Sequence, residues 1–96
     1  MRVRYTPRAR ADLQRIHDYI AQFNPAAANR VVGVIERRID ELNRHPAMGQ
    51  RSDELDTRIV LAIPYPCRIY YRVASTEIAI LHIRHTSRRL PTREDL

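Results

Sequence analysis

No lysine occurs in this chain; all 17 basic side chains are arginine. Arginine does not release its proton in a folded protein, so these cations can hold an anion but cannot act as general acids or bases. There is one cysteine, Cys67, which excludes an internal disulfide framework and fits a reducing cytoplasm. No apolar run approaches the ~20 residues of a membrane span, and the N-terminus lacks the apolar stretch of a signal peptide. A soluble cytoplasmic protein without a membrane partner is expected. Only two glycines among 96 residues, with 44% hydrophobic content, argue against a disordered tail. The length allows a single domain over residues 1–96 with one modest core, and Pro91 and the acidic end make 90–96 an irregular tail.

The positive charge is lopsided. Between Arg58 and Arg93 seven arginines face one acid, Glu77, whereas the first 57 residues carry ten arginines against eight acids. The second half is the electropositive half, which implies an acidic partner, either nucleic acid or an acidic protein segment.

Periodicity orders the elements. Val3 and Tyr5 alternate with Arg2 and Arg4 in a short first strand. Thr6-Pro7 reads as an N-cap followed by proline at the first helical position. The helix it opens carries an apolar stripe of Ala9, Leu13, Ile16, Ile20 and Phe23, with Asp12, Arg15 and Asp18 off the stripe as solvated charge. Asn24-Pro25 repeats the start signal, and the second helix has Ala28, Val31, Val32, Ile35, Ile39 and Leu42 as its stripe. So short a turn makes the two an antiparallel hairpin. Pro46 ends it, and a loop of about a dozen residues leads to a strand over Thr57–Ile63.

Two further strands follow, Cys67–Val73 and Glu77–Ile83, joined at Ala74-Ser75-Thr76. In the first, Cys67, Ile69, Tyr71 and Val73 share one face and Arg68, Tyr70 and Arg72 the other. In the second, Ile78, Ile80 and His82 oppose Ala79, Leu81 and Ile83, so the strand is apolar on both sides and central in its sheet. The order is β-α-α-β-β-β. The helical stripes can be buried only on the sheet, giving an α+β fold with a helical hairpin on one face of a mostly antiparallel sheet. The other face is left bare and carries Arg68, Tyr70 and Arg72.

That face is the candidate site. Arg68 and Arg72, two positions either side of Tyr70, read either as a solvated strand face or as a clamp for an anion or carboxylate. Arg58, Arg84, Arg88 and Arg89 extend the partner-binding set. His85 is either a strand-end histidine bonded locally or a general acid, if it reaches the bare face. His82 is expected half-buried. Tyr65 and Tyr71 read as core or turn aromatics, and Cys67 as a small buried hydrophobe. No spacing of His17, His45 and the other histidines suggests a metal site, and no cofactor is expected.

In order, T-P-R-A-R-A-D-L-Q-R-I-H-D-Y-I, N-P-A-A-A, H-P-A-M-G, Y-P-C-R-I-Y-Y-R-V and I-A-I-L-H-I-R-H-T-S-R resemble the RelE/ParE superfamily of toxins from bacterial type II toxin–antitoxin modules. The resemblance runs from Val3 to Arg89 and is closer to the ParE pattern. It implies a cytoplasmic toxin held inactive in a hetero-oligomer by a cognate, ParD-like antitoxin, with operator DNA reached only through the antitoxin. ParE-like members inhibit DNA gyrase; RelE-like members cut messenger RNA on the ribosome. Arg68 and Arg88 match positions of phosphate-binding arginines in the nucleases; were this chain a nuclease, His85 would be its candidate acid if it reaches the bare face. The lysines and the C-terminal tyrosine of those nucleases are absent, so the resemblance favours a non-enzymatic gyrase inhibitor without catalytic residues. The alternatives are a ribosome-dependent nuclease and a non-toxic antitoxin-binding relic. Arg68 and Arg72 would meet the antitoxin's carboxylates or be shielded by it.

Overall fold

The computed structural model describes residues 1–85; Arg88, Arg89 and the expected irregular tail at 90–96 lie outside the described residues. The elements are β1 (Arg2–Tyr5), α1 (Pro7–Ala21), α2 (Pro25–Arg44), β2 (Gln50–Arg51), β3 (Arg58–Leu61), β4 (Cys67–Val73) and β5 (Glu77–His85). They form the expected α+β architecture. One five-stranded sheet has the order β1-β5-β4-β3-β2. Only β1 and β5 run parallel; the other pairs are antiparallel. No helix among the described residues is long and apolar enough to cross a membrane.

Both helices start where their caps dictate. The Thr6 hydroxyl accepts the Ala9 N–H at 3.1 Å, and the side-chain Oδ1 of Asn24 accepts that of Ala27 at 3.0 Å. From α2, Val31, Ile35, Ile39 and Leu42 are buried against the sheet layer of Ile69, Tyr71, Ile78 and Ile80. Each such aliphatic side chain contributes about 1.5–3 kcal/mol.

Four expectations are corrected. Asp12 is buried, not solvated: it falls three residues after Ala9 and four before Ile16, on the α1 stripe itself. Phe23 lies beyond the end of α1, leaves the stripe, and packs edge-on against Tyr19 at 5.6 Å. The long loop after α2 contains a two-residue strand, β2, because Gln50 and Arg51 pair with Ile59 and Arg58. The fourth concerns β5. Tyr70 pairs with His82 but Tyr71 pairs with Ile80, so Leu81 is an extra residue, a β-bulge. A bulge reverses the alternation beyond it. Ile83 therefore joins Ile78 and Ile80 in the core, while His82 turns to the opposite face, beside Tyr70.

Candidate functional site

The bulge needs backbone partners that a regular ladder would supply, and α1 provides them. β1 ends at Tyr5, and from there Thr6 takes over the edge of β5: its hydroxyl donates to the carbonyls of Ile80 and Leu81 at 2.8 and 2.9 Å. Two turns on, Asp12 Oδ2 accepts the buried Ile83 N–H at 3.0 Å, and its Oδ1 accepts from Arg15 at 3.0 Å. A buried carboxylate with these two donors satisfies a peptide group that would otherwise be orphaned. The helix layer thus holds the distorted part of β5 in place.

On the face away from the helices, register sets out the side chains in rows. Arg84 and Arg68 are directly opposite each other, as are His82 and Tyr70, with Ile59 next across; Ala79 and Arg72 form a third row. Tyr70 and His82 stack, with ring centroids 4.0 Å apart and planes inclined by 17°. The pair is more enclosed than a bare face implies: Tyr70 is 7% and His82 6% exposed, against the half-buried state expected for His82. Each ring covers a face of the other. Burial, with the Arg8 guanidinium nearby, lowers the His82 pKa and keeps the imidazole neutral, and its Nδ1 has no hydrogen-bond partner.

The arginines around this stack are exposed. Among the described residues the side chains of Arg68, Arg72 and Arg84 make no hydrogen bond or ion pair, whereas Arg4 is held by Glu77 at 2.9 Å, Arg15 by Asp12 and Arg38 by Glu41 at 2.7 Å. Like charges directly opposite in a sheet destabilise it, so the Arg68–Arg84 row is a local cost without a folding rationale.

The remaining expected site residues fall elsewhere. Arg58 pairs with Tyr71, on the helix side, and its Nη1 donates to the Gly49 carbonyl at 2.8 Å. His85 pairs with the buried Cys67, so the register places it on the face opposite Arg68. Burial raises the Cys67 thiol to about 11, which suits a hydrophobe rather than a nucleophile. Among the described residues no cluster of His, Cys, Asp and Glu could hold a metal.

Sequence reasoning missed the anchoring of the Pro46–Gly49 loop. The Tyr71 hydroxyl donates to the Pro46 carbonyl and accepts the Gly49 N–H, both at 2.8 Å. A Cβ on Gly49 would stand 2.5 Å from that hydroxyl, so only glycine fits. The signal was present in H-P-A-M-G, but its partner lies 22 residues away.

Two helices on one side of a mixed five-stranded sheet are the architecture of the RelE/ParE toxin superfamily. Solved structures agree. A chain of "Chromosomal ParDE TA system from P. aeruginosa" superposes with a TM-score of 0.77 at 29% identity, covering 86% of this chain and 92% of that one. A chain of the toxin–antitoxin complex RelBE2 from Mycobacterium tuberculosis gives 0.58 at 25% identity, covering 88% of each. By sequence, the chain is 38% identical to Toxin RelE2 of Caulobacter vibrioides, over 88% of this chain and 93% of the relative. It is 36% identical to putative toxin Y4kP of Sinorhizobium fredii, over 94% and 93%. The model of the ParE toxin of type II toxin–antitoxin systems, parDE, matches residues 3–90, and the chain belongs to that family.

Proposed function

We propose that this toxin acts by binding and inhibiting DNA gyrase, without cutting nucleic acid, and that a ParD-like antitoxin neutralises it in a hetero-oligomer. The observation that carries the reading is the separation of charge from proton chemistry. Cleaving RNA through its 2′-hydroxyl needs a base and an acid beside the cations that hold the phosphate. Arg68 and Arg84 lie on one face of the sheet, and the register puts His85 on the other. His82 shares the arginine face, but it is buried, stacked on Tyr70 and held neutral. The solved ParDE system and RelBE2 complex to which the chain is similar support an antitoxin as partner.

The test runs the purified full-length protein in parallel against gyrase supercoiling and against coupled translation with mapping of messenger 5′ ends. The expected outcome is lost supercoiling with accumulated cleaved DNA and intact messenger. New 5′ ends that vanish with Arg68→Ala would replace this reading with ribosome-dependent cleavage.

A further inference from the structure

We infer that the sheet face bearing Arg68, Arg72 and Arg84 is a direct contact surface for the phosphate backbone of duplex DNA, read without regard to sequence. The contact itself is argued from charge and geometry; its use on the DNA held by gyrase rests on the preceding reading.

Three observations favour a duplex. First, these three guanidinium groups are exposed and, among the described residues, without hydrogen bonds or ion pairs, and two are placed directly opposite each other. Such a like-charge row is relieved by an anion lying between or above them. Second, the alternative occupant, an acidic peptide, gains its affinity by adding main-chain hydrogen bonds at an open strand edge or by laying an apolar face in a groove. Around Arg68, β4 is paired on both sides, with β3 and β5; β1 covers β5 only to Ile80, and beyond it Thr6 and Asp12 already take the Leu81 carbonyl and the Ile83 N–H. A peptide lying over Arg68 would have point charges alone to bind. Third, single-stranded nucleic acid binds by stacking its bases on open aromatic rings. Tyr70 and His82 are stacked on each other and almost wholly buried, so they offer no platform.

The spacing suits a duplex as well. Arg68 and Arg72 are four residues apart on one strand, about 13 Å at the usual rise. That is close to the roughly 12 Å width of a major groove, so the two ends of the face can meet phosphates of opposite walls.

The experiment measures binding of the purified full-length protein to a fluorescent 20-base-pair duplex by anisotropy from 50 to 200 mM NaCl. The double variant Arg68→Ala/Arg84→Ala is compared with Arg30→Ala/Arg37→Ala, which removes the same charge from exposed positions of α2. Removing two phosphate contacts lowers the salt slope by about two, so the fourfold rise in salt weakens the sheet-face variant roughly tenfold less than wild type. The α2 variant keeps the wild-type slope. Equal loss in both variants, tighter binding of the single-stranded 20-mer, or full competition by polyglutamate at equal charge would each overturn the proposal. Circular dichroism confirms that both variants are folded. A moved slope without gyrase inhibition would leave the DNA contact standing and remove the gyrase reading; gyrase inhibition with an unmoved slope would do the reverse.

Discussion

Tyr70 and Tyr71 are adjacent in β4 and serve opposite sides of one sheet. On the helix side, Tyr71 is fully buried and both donor and acceptor roles of its hydroxyl are filled by the Pro46–Gly49 loop. Thr6, Asp12 and Arg58 on that side are likewise tied to named backbone groups. On the other side, Tyr70 packs on His82, and among the described residues Nδ1 of that imidazole has no hydrogen-bond partner and the arginines beside it are unpaired. The difference teaches where folding and function are divided. Polar groups facing the helices are matched because an unmatched buried group costs about 1–3 kcal/mol. Exposed arginines on the far face escape that constraint and can be kept for an external anion.

Breaking the matched side should cost most. Gly49→Ala would drive a methyl group into the Tyr71 hydroxyl and the Ile59 carbonyl. We expect a loss of about 3 kcal/mol in urea unfolding, typical of overpacking a closed site. Asp12→Ala would leave the buried Ile83 N–H without an acceptor and should cost about 2 kcal/mol. If its unfolding midpoint matched wild type, α1 would not be what stabilises the bulge. Tyr71→Phe, which removes only the hydroxyl bonds to the loop, should cost about 1–2 kcal/mol.

The far face should respond differently. His82 has a lowered pKa in the folded protein, chiefly through burial. As pH falls through the ordinary histidine value, the unfolded chain takes up the proton first, so stability drops from that value down towards the lower folded one. His82→Phe keeps a ring for Tyr70 to stack on and removes this proton uptake. Thermal melts at pH 7.5, 6.5 and 5.5 should show a shallower fall for the variant, and parallel curves would count against a neutral, buried His82. Arg68→Ala and Arg72→Ala, taken singly, should move stability by no more than about 0.5 kcal/mol in either direction. A large loss from either would mean that the face has a structural role and weaken its reading as a binding surface.

Much of this division was legible in the residues. The Thr6-Pro7 and Asn24-Pro25 starts, the helical stripes apart from Phe23, and the two faces of Cys67–Val73 all depend on local chemistry and regular periods, and the structure keeps them. Asp12 was misassigned although its spacing to Ala9 and Ile16 put it on the stripe, because a carboxylate reads as solvated until an N–H is seen to need it. His82 could not be assigned to its face from Ile80-Leu81-His82-Ile83. Three apolar residues in four leave alternation with no contrast, and the bulge that decides the matter exists only against Tyr70 and Tyr71 of the neighbouring strand.

What the sequence determined by itself is therefore the elements other than β2, the layer order and the family, since these follow from caps, hydrophobic period and motif order along the chain. Only the tertiary structure decided which face His82 and His85 take, which arginines are engaged and why Gly49 must be glycine. Those outcomes depend on pairing between strands and on side chains meeting across 22 to 75 residues of chain, distances that no local pattern spans.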